Sequence, residues 1–114
     1  MTLTLISLDF NAPVSETTVG KLPCIIGHSP DADLRIEHSS ISREHCRIDC
    51  VDGKFVVYDL ESVHGTFVDG TRVREAELQP GSQLAIGLLS FLVQVLQATD
   101  PLDPAEETLL TVAM

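Results

Sequence analysis

The stretch Asp59-Leu60-Glu61-Ser62-Val63-His64-Gly65-Thr66-Phe67-Val68-Asp69-Gly70 decides the reading of the fold. Just before it, His45 to Val51 and Lys54 to Leu60 are two extended runs joined by Asp52-Gly53. Asp-Gly between alternating runs is a strong hairpin signature, because the tight turn needs residues that tolerate positive φ. Inside the stretch and beyond it, Thr66-Phe67-Val68 and Thr71-Arg72-Val73 flank Asp69-Gly70 and predict a second hairpin.

Outward from these hairpins the period remains that of strands. Leu3, Leu5, Ile6, Leu8 and Phe10 alternate with one phase slip, which predicts a first strand carrying a bulge. Asn11-Ala12-Pro13 ends it, and Thr17 to Gly27 reads as a second extended segment punctuated by Gly20 and Pro23. Ser29-Pro30-Asp31 marks a turn before a short strand at Leu34-Arg35-Ile36. Pro80-Gly81 turns the chain again, ahead of Leu84-Ala85-Ile86 and Leu89 to Leu96. Only Ala105 to Val112 has helical spacing. Many short strands at close intervals predict an all-β sandwich or barrel.

The 114 residues suit one domain that buries roughly 65% of its unfolded surface. A hydrophobic content of 44% excludes a disordered chain. With no Trp, four Phe and one Tyr, the core must be mainly aliphatic. No apolar run approaches the ~20 residues that span a bilayer, and the first residues carry no basic start or long apolar segment, so a cytoplasmic location is expected. Seven basic against seventeen acidic residues give a net charge of −10. That balance argues against nucleic acid and anionic membranes as partners. It is a solubility charge, or else a preference for partners with basic residues near the contact.

Cys24, Cys46 and Cys50 are odd in number. Cys46 and Cys50 would lie four strand residues apart, ~13 Å and beyond disulfide reach. No second Cys pair or His-x-His supplies zinc ligands, so no metal is expected. The three read as small buried thiols. Cys46, Ile48 and Cys50, with Val57 and Ile86, should face the core while Arg47 and Asp49 face outward.

Taken in order, Gly27-His28-Ser29, Ser42-Arg43-Glu44-His45, Asp59 to Thr66 and Ile86-Gly87 closely resemble the forkhead-associated (FHA) domain. The family pattern runs Gly-Arg, Ser-Arg-x-His and Asp-Leu-x-Ser-x-Asn-Gly-Thr. The resemblance covers roughly residues 3–97. It implies an FHA-like β-sandwich of two packed, mostly antiparallel sheets with site-bearing loops at one end. Residues 1–97 would be this domain, and 98–114 an acidic, proline-containing tail, disordered if left undocked. The implied function is a non-enzymatic module that binds phosphothreonine on partner proteins, such as a Ser/Thr kinase or its substrate, without a cofactor.

The resemblance assigns phosphopeptide binding to His28, Ser42, Arg43, Val63 and His64. Gly27, His45, Gly65 and Thr66 would support the site. A phosphothreonine brings about −1.5 to −2 charges that need convergent donors. Ser42 and Arg43 match the family residue for residue, and His45 matches the family histidine that buttresses the loops from behind. Three positions depart. His28 stands where the family has a phosphate-gripping Arg, whose planar fork offers two parallel hydrogen bonds. Val63 lacks the hydroxyl often found there, and His64 replaces the Asn that fixes the ligand backbone. The alternative is a scaffold that keeps the fold but recognises unmodified protein, or uses its sheet for assembly. Ser-His catalysis by Ser42 and His45 is rejected on the expectation that an extended segment points them to opposite faces. Thr17, Thr18 and Thr108, each in an acidic context, are candidate phosphorylation sites.

Overall fold

Alternating side chains on short, turn-bounded segments produce eleven strands in the computed structural model, which describes residues 2–9 and 12–96. They are β1 (Thr2–Ser7), β2 (Glu16–Val19), β3 (Cys24–Gly27), β4 (Leu34–Arg35), β5 (Cys46–Val51), β6 (Lys54–Asp59), β7 (Thr66–Val68), β8 (Thr71–Arg72), β9 (Glu75–Leu78), β10 (Gln83–Ile86) and β11 (Leu89–Leu96). A six-stranded sheet runs β2-β1-β11-β10-β7-β8, and a five-stranded sheet runs β4-β3-β5-β6-β9. Every pairing is antiparallel except β3 with β4. The architecture is an all-β sandwich. Among the described residues no helix is long and apolar enough to cross a membrane.

Both hairpins form where the turn dipeptides place them. Asp52 and Gly53 have φ of 52° and 77°, and Asp69 and Gly70 have 51° and 85°. Positive φ at both central residues gives a turn whose twist matches the flanking strands. β5 then pairs with β6 from Cys46↔Asp59 to Val51↔Lys54. Ile48 and Val57 meet as one rung of this ladder, both fully buried. The core they join is mainly aliphatic, with Leu3, Leu5, Ile26, Leu84 and Ile86 buried beside Phe55 and Phe91. On the outer face, the Arg47 guanidinium lies 4.6 Å from the centroid of its cross-strand neighbour Tyr58.

Four sequence expectations need correction. Cys24 and Cys46 are buried, but Cys50 is exposed. It stands one rung from the Asp52-Gly53 turn, opposite Phe55, and it is the Phe55 ring that fills the core there. The first strand carries no bulge over Thr2–Ser7, since its register with β11 and with β2 is unbroken. Its apparent phase slip reflects Leu3 and Leu5 facing the core while Ile6 and exposed Leu8 do not; Phe10 lies outside the described residues. The segment from Thr17 to Gly27 is two strands in different sheets, β2 and β3, separated at Gly20 to Pro23. Finally, β9 has no counterpart in the sequence reading. Glu75 and Glu77 mask it, yet they face solvent on an edge strand while Leu78 is buried, and charge on an edge discourages pairing with other chains.

Thr18 lies in β2, its Oγ1 3.2 Å from Thr4 Oγ1, whereas Thr108 and the tail lie outside the described residues.

Ile48→Ala should cost about 2–5 kcal/mol in urea unfolding, while Cys50→Ala should change stability by less than about 0.5 kcal/mol. A loss below half a kilocalorie for Ile48→Ala would place the β5 register wrong by one residue.

Candidate functional site

Three loops converge at one end of the sandwich: β3–β4 (residues 28–33), β4–β5 (36–45) and β6–β7 (60–65). The first two are zipped together by backbone hydrogen bonds. His28 N–H donates to Ser42 O at 3.0 Å and Ser29 N–H donates to Arg43 O at 3.1 Å. Such close approach needs Gly27, because a Cβ there would overlap the Arg43 carbonyl oxygen. Ser29 is buried and closes its own turn, its Oγ accepting from Asp31 N–H at 3.1 Å.

His45 connects the second loop to the third. Fully buried, its Nδ1 accepts the Ser42 N–H at 3.1 Å and its Nε2 lies 2.8 Å from the Gly65 carbonyl oxygen. A backbone N–H is only a donor, so Nδ1 is the acceptor and the proton sits on Nε2. Residues 42–45 therefore make a turn rather than the extended segment expected from sequence. The ring folds back onto the Ser42 backbone, not onto its hydroxyl, so His45 is not placed as a base for Ser42.

The third loop is shaped by Asp59 at the end of β6. Its carboxylate accepts from Ser62 Oγ at 2.6 Å, Thr66 Oγ1 at 2.7 Å and Ser62 N–H at 3.2 Å. Ser62 Oγ in turn accepts from Gly65 N–H at 3.0 Å. Gly65 has φ of 91°, a conformation open chiefly to glycine, and Thr66 is fully buried. A fourth segment, the β10–β11 turn, docks on the same end. Gly87 N–H donates to Gly65 O at 3.0 Å, and Leu88 N–H donates to Ser40 Oγ at 3.0 Å. Asp59, Ser62 and Gly87 were part of the quoted motif without a role, although Asp-x-x-Ser-x-x-x-Thr is a local turn signal. Ser40 gave no sequence signal at all.

What this framework presents is a cleft of about 320 Å³ lined by His28, Ser39, Ser40, Ile41, Ser42, Arg43, Val63 and His64. All five residues assigned to binding thus border one space. Ser42 Oγ accepts the Val63 N–H at 3.0 Å, which fixes the hydroxyl and leaves its own hydrogen free to donate. Arg43 and His64 are exposed at the rim. Val63 is 78% exposed and brings no side-chain donor. The buried Nδ1 of His28 has no protein hydrogen-bond partner among the described residues.

A model of the FHA domain family matches residues 24–87. The chain belongs to the FHA family. Similar proteins include the glycogen accumulation regulator GarA of Mycolicibacterium smegmatis, 34% identical over 61 residues, covering 54% of this chain and 39% of GarA. Among solved structures, an FHA domain studied for phosphothreonine-dependent interactions superposes with a TM-score of 0.75 at 26% identity, over 85% of this chain and 99% of that one. The FhaA FHA domain, complexed with the intracellular domain of Rv3910, gives 0.68 at 28% identity over 81% and 99%. The chain spans less than half the length of the curated relatives it matches.

Two titrating groups hold these loops together. Burial pushes the His45 imidazolium below its ordinary value, outweighing the Gly65 carbonyl and Asp59, which favour the charge. Burial raises the Asp59 carboxyl, but hydrogen bonds from Ser62 and Thr66, with His45 nearby, more than offset it and hold the group below the ordinary carboxylate value. Both depressions act in one direction. As pH falls through the unfolded His value of ~6.5, the unfolded chain takes up a proton that folded His45 refuses, and stability drops. The Asp59 contribution is complete above the unfolded value of ~3.9 and is lost as pH falls towards the folded one. The thermal midpoint should therefore decline in two stages below pH 7. Asp59→Asn should diminish the lower stage, to which Asp33, also held low by the Ile25 N–H and Lys21, contributes as well, and should cost about 1–2 kcal/mol at pH 7. A midpoint unchanged between pH 7 and 5 would mean that His45 is not held neutral.

Proposed function

We propose that this FHA domain is a non-enzymatic phosphothreonine-peptide binding module with an altered pocket, in which His28 stands in place of the family's Arg. The observation that carries the reading is Ser42. Its hydroxyl is immobilised by the Val63 N–H at the edge of a cleft shared with Arg43, His28 and His64. A donor held in place before the ligand arrives loses little entropy on binding. The family membership and the likeness to a domain with phosphothreonine-dependent interactions support the same reading. Residues 1–97 make up the binding domain, and its partner is a phosphothreonine-containing protein, such as a Ser/Thr kinase or its substrate, in the cytoplasm.

A second reading, a scaffold for unmodified protein, draws on His28 and Val63. Between them they remove a guanidinium and a hydroxyl from the pocket, and the charge of −10 opposes anions at long range. Titration calorimetry with phosphothreonine peptides and unphosphorylated controls separates the two. Preference for the phosphorylated form is expected. His28→Arg should strengthen it by roughly 10- to 150-fold, the value of a hydrogen bond to a charged group, and Ser42→Ala should weaken both versions. If neither wild type nor His28→Arg discriminates across several peptides, the pocket does not bind phosphate and the scaffold reading replaces it.

A further inference from the structure

We propose that Arg35 supplies the phosphate-gripping guanidinium that position 28 lacks, and that Glu37 holds it in the free chain. This rests on the phosphothreonine reading of the Ser42 cleft. Arg35 is the second residue of the edge strand β4 and lies opposite Gly27 in the parallel register with β3. From there its Nε donates to the carbonyl oxygen of His28 at 3.1 Å. The guanidinium is thereby brought to the backbone of the residue that in the family pattern is itself arginine.

The two clefts at this end are contiguous. Arg35, Glu37 and His38 line one of about 360 Å³ together with His28, Ser39 and Ile41, and the latter three also line the Ser42 cleft. An anion on the Ser42 hydroxyl would have Arg43 beside it, in a cleft that shares His28, Ser39 and Ile41 with the one Arg35 lines. Three of the other basic residues are committed elsewhere: Lys21 pairs with Asp33, Lys54 reaches Glu77 and Arg47 stacks on Tyr58. Arg72 and Arg74 line a separate cleft with Asp59 and Glu61.

The Glu37 contact is weak enough to exchange. Arg35 Nη1 meets Glu37 Oε2 at 2.6 Å, but the two side chains are 46% and 63% exposed. An exposed pair of this kind is worth about 0–1 kcal/mol. A phosphate with nearly two charges and three acceptor oxygens is the stronger partner for a planar fork. Arg35 can release Nη1 from Glu37 Oε2 and reorient its guanidinium to the phosphate, with no change in the core.

The test uses the full chain and the tightest phosphothreonine peptide from a degenerate library, with its unphosphorylated twin, read by fluorescence anisotropy. Arg35→Gln should weaken phosphopeptide binding by about tenfold or more. Glu37→Gln should tighten it about two- to fivefold, because the competing carboxylate is gone. The sign of the second effect separates a direct contact from mere support. If Arg35 only props the His28 backbone, Glu37→Gln loosens the prop and weakens binding, which overturns the proposal. Binding by Arg35→Gln within twofold of wild type, while Ser42→Ala is impaired, would also overturn it and leave the Ser42 reading standing. A wild type that does not prefer the phosphorylated peptide would remove both.

Discussion

The end of the sandwich that carries the site depends on one acceptor, the carbonyl oxygen of Gly65. It receives the His45 Nε2 proton from the β4–β5 loop and the Gly87 N–H from the β10–β11 turn. Through these two bonds, segments belonging to different sheets are fixed against the β6–β7 loop. Neutral imidazole suits the junction because it offers a donor on one nitrogen and an acceptor on the other. The acceptor takes the Ser42 N–H, so the residue bearing the candidate ligand hydroxyl hangs from the same ring. Protonating His45 would give Nδ1 a hydrogen facing the Ser42 N–H, in a site without solvent to relieve it.

Sterics complete what these hydrogen bonds begin. Gly27 admits the Arg43 carbonyl, and Gly87 admits the Ser40 carbonyl, where any Cβ would overlap. Asp59 works differently, gathering two hydroxyls and a backbone N–H so that the loop from Leu60 to Gly65 folds over its own carboxylate. The exposed residues Val63 and His64 are then displayed by a loop whose base is buried at Ser62, Gly65 and Thr66. A rigid base with exposed tips is the arrangement that lets loop residues change identity without loss of fold. It explains why Val63 and His64 can depart from the family pattern while the frame matches it.

How much was legible in the sequence follows from the range of the interactions. The two Asp-Gly hairpins were readable because turn chemistry is local, and they set the registers of β5–β6 and β7–β8. Five of the eight residues of the candidate cleft, His28, Ser42, Arg43, Val63 and His64, were readable as a motif in order, and the structure brings them together. Burial at a strand end was not readable, since Cys50 and Phe55 compete for one core position and only the packed sandwich decides between them. Strand β9 was hidden because its glutamates are acceptable only on an edge, and edges are a property of sheet order. The Ser42 to His45 turn was missed because its cause, the Gly65 carbonyl, lies twenty residues beyond His45. Arg35 gave no signal for the same reason: its approach to His28 arises from the parallel pairing of β3 with β4.

The acidic composition sharpens what the site must do. A net charge of −10 acts on an approaching phosphate over about the Debye length, ~8 Å at physiological salt. Inside that distance the outcome is set by which groups stand in the cleft. Among the described residues, three of the seven basic side chains sit in ion pairs with carboxylates. Of these, the Arg35–Glu37 pair borders the cleft that adjoins Ser42. Losing an arginine at position 28 therefore does not by itself leave this end without a guanidinium. In the proposed arrangement the guanidinium stands not on a loop but at a strand edge, where the Glu37 carboxylate of the same chain reaches it first. Under the proposed role of Arg35, the strength of the pocket would depend on an exchange between an internal and an external anion, in place of a cation permanently presented.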